Sequence, residues 1–135
     1  MERCWLVILA VSLLATCGGE VKSPVYPARV AGNAAIPEFK LFRETVLTGN
    51  QLPDYVPPAG LIRAVNLVYE AGNGLQLKVF ETKSSSVAFE ALQNWRPQDG
   101  RRAVQMGRLL VEGQMEKPDP ATLEAFLTEF EKQLR

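Results

Sequence analysis

The sequence predicts an α+β domain, a small antiparallel β-sheet of about four strands packed against two α-helices in ββα-ββα-like order. Three observations carry this expectation. Apolar and polar residues alternate on both sides of Asn73-Gly74. An apolar stripe of helical period follows Ser84-Ser85-Ser86, and another follows Asp119-Pro120.

The stretch between the first apolar run and Leu61 is the hardest to class. From Gly18 to Pro37 the chain is mostly Gly, Ala, Pro and Val, and Pro24, Pro27 and Pro37 interrupt any regular element. This composition predicts a semi-stiff tether, reaching roughly 60 Å if stretched at about 3.1 Å per residue. The alternative is that Val25-Tyr26 or Ala28 to Val30 lies on the domain as a short edge strand. Glu38 to Thr48 contains Phe39, Leu41, Val46 and Leu47 without a clean period, so it forms one short element of undetermined type. Leu52 to Gly60, with Pro53, Pro57, Pro58 and a glycine, reads as a polyproline-like crossing loop.

From Leu61 the pattern sharpens. Val65, Leu67 and Tyr69 alternate with polar neighbours, as do Leu75, Leu77 and Val79 after the turn. Asn-Gly is the dipeptide that best accepts the two positive φ angles of a type I′ hairpin. Hydroxyls at Ser84 to Ser86 can cap a helix from about Ser86 to Arg96, with Ala88, Ala91, Leu92 and Trp95 on one stripe and Pro97 and Gly100 ending it. Arg101 to Gln114 is a second strand region, either a hairpin turning at Gly107 or one bent strand. Asp119 and Pro120 suit the N-cap and first position of a last helix.

That helix buries Leu123, Phe126, Leu127, Phe130 and Leu134. Each phenylalanine contributes roughly 1.5–3 kcal/mol, whereas an i,i+4 pair of Glu131 with Arg135 adds only a few tenths. Packing decides it. Arg63-Ala64-Val65-Asn66 and Arg102-Ala103-Val104-Gln105 open two similar halves, so a twice-used ββα unit would place both helices on one sheet face.

Composition narrows function more than it identifies it. Lys plus Arg and Asp plus Glu balance at 15 each, which leaves no field to gather nucleic acid. Histidine is absent, which removes His-based catalysis and the usual zinc sites. Asp54, Asp99 and Asp119 are too scattered for a carboxylate-only Ca²⁺ loop, so no metal and no cofactor are expected. Cys4 and Cys17 are the only cysteines and cannot staple the folded part.

Both lie in or beside an apolar run. Met1-Glu2-Arg3 is a short charged start, and Trp5 to Ala15 is apolar but short for a stable membrane span. Together with a small-residue exit these are the marks of a secretory signal. Leu14-Ala15-Thr16-Cys17, followed by Gly18-Gly19, resembles the lipobox of bacterial lipoproteins, although Thr16 stands where that family carries Gly, Ala or Ser. The resemblance implies cleavage before Cys17, a diacylglycerol thioether on Cys17 and attachment to an envelope membrane facing the periplasm. Gly18 after the cysteine resembles lipoproteins sent to an outer membrane. Two alternatives are an ordinary signal cut after Gly19, which releases a soluble protein, and an uncleaved anchor. The expected organisation is a signal peptide at 1–16, lipidated cysteine and tether at 17–37, and one domain at 38–135.

Candidate chemistry is sparse. Lys83 beside Ser84 to Ser86 could form a Ser–Lys dyad only if the lysine were desolvated, and capping is the simpler role. Glu81 with Glu90, or Glu129 with Glu131, would need to face each other across a cleft for glycosidase work. Arg96, Arg101, Arg102 and Arg108, with Trp95, form the densest basic group and suit a phosphate or carboxylate. Phe80 falls on the strand face opposite Leu77 and Val79. A bulge before Glu81 turns it inward, or the Pro-rich segment with Tyr55 covers it; failing both, it joins that basic group as an interaction surface. The function expected is a non-catalytic binding or scaffolding module meeting an envelope protein or an anionic ligand. The runner-up is a carrier holding a small apolar or lipid ligand in a cavity lined by Leu67, Leu77, Ala91 and Phe126. An enzyme comes last.

Overall fold

A computed structural model describes residues 23–30, 36–70, 74–117 and 119–135. The proposed signal peptide, Cys17 and the turn residue Asn73 lie outside the described residues. Among the described residues six strands and two α-helices follow in order: β1 (Arg29–Val30), β2 (Phe39–Val46), β3 (Leu61–Glu70), β4 (Leu75–Thr82), α1 (Ser85–Asn94), β5 (Arg101–Met106), β6 (Leu109–Gln114) and α2 (Pro120–Gln133). The α+β class and the second half's ββα order are as the sequence predicts. The sheet, however, has six strands rather than about four, in the antiparallel order β1-β2-β3-β4-β6-β5.

Both additional strands come from segments whose pattern was obscured. In β2 the register slips between Leu41 and Arg43, a bulge at Phe42 that breaks the period-2 alternation. The stretch from Ser23 is no free tether either. Val25 and Arg135 exchange backbone hydrogen bonds, Tyr69 donates its hydroxyl to the Pro27 carbonyl at 2.6 Å, and Arg29 and Val30 pair with Lys40 and Phe39. The edge-strand alternative therefore holds: the described residues 23–30 pack on the domain, ahead of the expected boundary at 38.

The helices lie on opposite faces of the sheet, not on one. Phe126 and Phe130 of α2 pack with Val65, Leu67, Tyr69, Leu77, Val79 and Val111. Ala91 of α1 packs with Ala64, Phe80, Leu110 and Val56 on the other side. The cause is β6, where Leu110 and Val111 are neighbours in sequence and both fully buried, so each face of the sheet presents apolar surface. Phe80 is covered as the Pro-rich alternative expects, with Tyr55 meeting its ring edge-on at a centroid distance of 6.0 Å.

Local signals set the boundaries. Ser84 caps α1 by accepting from Val87 N–H, and Asp119 caps α2 by accepting from Thr122 N–H. Gly107 takes φ +63° in the β5–β6 turn, a value its lack of Cβ permits. α2 stops at Gln133, and among the described residues the ion pair within it is Lys132–Glu129 at 3.4 Å rather than Glu131 with Arg135. Arg135 instead uses its backbone to hold Val25.

Candidate functional site

The structure divides the sequence-predicted basic group. Arg108 sits at the β5–β6 turn, 2.9 Å from Oε2 of the buried Glu81 on β4. Trp95, Arg96, Arg101 and Arg102 gather at the other end of β5, where α1 stops and the edge strand starts. Phe80 has no exposed surface, so it leaves the candidate interaction surface and belongs to the core.

Trp95 is the residue around which this end is built. It terminates α1 in extended geometry while its N–H bonds to the Ala91 and Leu92 carbonyls. Arg96 follows, and as the residue before Pro97 it is disfavoured from continuing the helix. Gly100, at φ +76°, then turns the chain into β5. The indole N–H of Trp95 donates to Oε2 of Glu112 at 2.6 Å, and the Tyr55 hydroxyl donates to the same oxygen at 3.0 Å. Glu112 is only 3% exposed, on the sheet face that carries Phe80 and Leu110. One buried carboxylate thus fixes two aromatic side chains from two separate segments.

Two clefts meet at Trp95. The first, about 370 Å³, wraps the start of the β5 edge and is walled by Pro97, Gly100, Ala103, Pro120 and Leu123, with Arg101, Arg102 and Asp119 at its rim. The second, about 380 Å³, is lined by Asp54, Tyr55, Asn94, Arg96 and Gln98. Arg102 pairs with Glu124 at 3.5 Å across exposed surface, a contact worth little. Arg96 and Arg101 form no ion pair among the described residues.

Electrostatics follow from burial. The Tyr55 hydroxyl is pushed far above its ordinary range, first by burial, then by the charge of Glu112 and the hydrogen bond to it, with Arg101 opposing. Tyr55 is therefore a fixed donor at neutral pH. Asp119 is held below its ordinary value by hydrogen bonds from Thr122 and remains anionic at the rim. The arrangement offers free guanidinium groups beside an immobilised indole, and suits recognition of an anion attached to a flat or ring-shaped body.

The other candidates resolve simply. Ser84 Oγ is occupied as a helix cap and Lys83 is exposed, so neither meets the geometry of a dyad. Glu81 is committed to Arg108, whereas Glu90 is exposed on α1. Leu67, Leu77 and Phe126 fill one core and Ala91 belongs to the other, so the four do not line a common cavity. Among the described residues no group of three or more His, Cys, Asp or Glu converges, and no helix is long and apolar enough to cross a membrane. Sequence reasoning placed Tyr55 over Phe80 but missed that Glu112 is buried and accepts from both Tyr55 and Trp95. The lone acidic residue directly after the apolar run Leu109 to Val111 was the signal available for Glu112, and nothing local marked its contact with Tyr55. The chain matches no protein-family model, no curated protein and no solved structure.

Proposed function

We propose that the chain is an exported, lipid-anchored protein of a bacterial cell envelope, held to a membrane through Cys17, and that it binds an envelope partner or anionic ligand without catalysing a reaction. Its face is the periplasm, with the outer membrane favoured by Gly18. The supporting sequence features are the charged start, the short apolar run and the cysteine at its exit. They concern the address.

The observation that carries the binding half is the separation of two ends. Ser23, Pro24 and Val25 lie beside Met106 and Arg108, at the turn end of β5. Trp95 and Arg101 lie at the start of the same strand. Cys17 is six residues from Ser23, a reach of at most about 20 Å, so the domain would stand close to the bilayer instead of swinging on a long arm. The clefts at Trp95 would then open away from the anchored end.

Mass spectrometry of the protein isolated from membranes tests the anchor. An amino terminus at Cys17 carrying the mass of a diacylglycerol is expected, and Cys17→Ser should move the protein to the soluble fraction. A mature chain beginning at Glu20 without lipid would refute the anchor. The site is tested in parallel: Arg101→Glu should abolish ligand binding while leaving the anchor mass intact. Binding unaltered by that reversal would place the site elsewhere.

A further inference from the structure

We infer that the paired clefts at Trp95 bind an anionic saccharide, one sugar ring stacked on the indole with its carboxylate or phosphate received by Arg101. This rests on the binding-module reading above and names its ligand. Three features select a sugar. The indole is immobilised by Glu112 yet borders both clefts, so it can serve as a stacking platform without losing further rotamer freedom. Around it Asp54, Asn94 and Gln98 have side chains engaged in no hydrogen bond among the described residues. A carboxylate accepts, and amides both donate and accept, which matches adjacent hydroxyl groups that do the same. Each cleft, at about 370 and 380 Å³, has room for a small ligand and is shared between apolar wall and convergent polar groups.

Charge then selects an acidic sugar over a neutral one. Arg101 borders the first cleft and Arg96 the second, both without an acidic partner among the described residues, and a guanidinium fork matches carboxylate or phosphate geometry. An acidic peptide fits less well, because its aspartate and glutamate side chains bring no hydroxyl groups to meet Asp54, Asn94 and Gln98.

Tryptophan emission reads the contact directly. Trp5 lies in the proposed signal peptide, so the processed protein keeps Trp95 as its single tryptophan and Trp95→Phe removes the signal as the control. The processed protein is titrated with a galacturonic acid trimer, its neutral methyl ester, glucose 6-phosphate and triglutamate. Saturable change with the trimer or the sugar phosphate is expected, and the two arms tell carboxylate from phosphate. The ester should bind roughly tenfold or more weakly. Arg101→Gln should collapse that difference without moving the melting temperature, and Arg29→Gln, at the far side of the sheet, should preserve it. Equal affinity for acid and ester, or no saturable change with any probe, would overturn the inference. Triglutamate binding as tightly as the trimer would also overturn it, while leaving a binding module in place. The anchor stands or falls separately, on the mass of the amino terminus.

Discussion

Trp95 donates its indole N–H to Oε2 of Glu112 at 2.6 Å, so the residue that ends α1 is pinned to the middle of β6. The same oxygen takes the Tyr55 hydroxyl, and Tyr55 in turn closes over Phe80. The cleft and the second core therefore share one fastening. Loosening it should be felt in both.

Glu112→Leu removes the acceptor of two partly buried donors, and each stranded group costs about 1–3 kcal/mol. A loss of about 2–4 kcal/mol in urea unfolding is expected, with a red shift of Trp95 emission as the ring is released. Glu112→Gln keeps an oxygen in place and should lose less than half of that. A Leu variant as stable as the parent would show that the carboxylate fastens nothing.

The ion pair at the opposite end should respond asymmetrically. Glu81 is 1% exposed and its Oε1 has no partner, whereas the Arg108 side chain is 27% exposed and can turn to water. Arg108→Ala leaves an uncompensated charge in the sheet and should cost about 3–5 kcal/mol. Glu81→Gln should cost clearly less. Comparing their urea midpoints checks this, and equal losses would argue that the two partners are similarly desolvated.

The contrast between these ends shows what the sequence could and could not disclose. Val65 to Tyr69, Leu75 to Val79 and the stripe from Leu123 to Phe130 were legible because each buries one regular face, so composition and period agree. β2 was not, because the bulge at Phe42 leaves that ring 60% exposed and turns Arg43 onto the next face. Placing both helices on one face failed for a different reason. Phe80 and Leu110 each sit beside residues buried on the opposite side, and one-sided burial cannot accommodate both. At the site, Trp95, Arg96, Arg101 and Arg102 were close enough in sequence to be grouped. Arg108 joined them on sequence distance alone, although a six-residue strand carries it to the far end. Glu112 and Tyr55, 57 residues apart, meet only through the fold.

Close approach of α1 to the turn that precedes β3 depends on Gly60. A Cβ there would lie 2.6 Å from Cγ1 of Val87 and 3.1 Å from its Cγ2. Val87 is β-branched and stiff in a helix, so it has little room to yield. Gly60→Ala should cost about 1–3 kcal/mol by overpacking, and Val87→Ala in the same chain should recover most of it. A double-mutant cycle from urea unfolding measures the coupling. Additive losses would mean that helix and loop move apart together rather than clash.

All three tyrosines should resist alkaline titration. Burial is the leading cause for each: it pushes Tyr26 up to about 12, with the Glu81 charge adding to it, and raises Tyr55 and Tyr69 further. In the unfolded chain they ionise near pH 10. The folded state therefore binds more protons above that pH, and its stability falls as pH rises from about 10 through about 12. Below pH 10 the contribution is fully present. Absorbance at the phenolate band should thus show no ionisation near pH 10 and then a cooperative rise that coincides with loss of helical circular dichroism. Tyr26 stacks on Phe130 and sits on the segment that Arg135 holds, so freeing that segment is the expected first step. One phenol titrating reversibly near pH 10 with the ellipticity unchanged would show that the segment opens independently of the core.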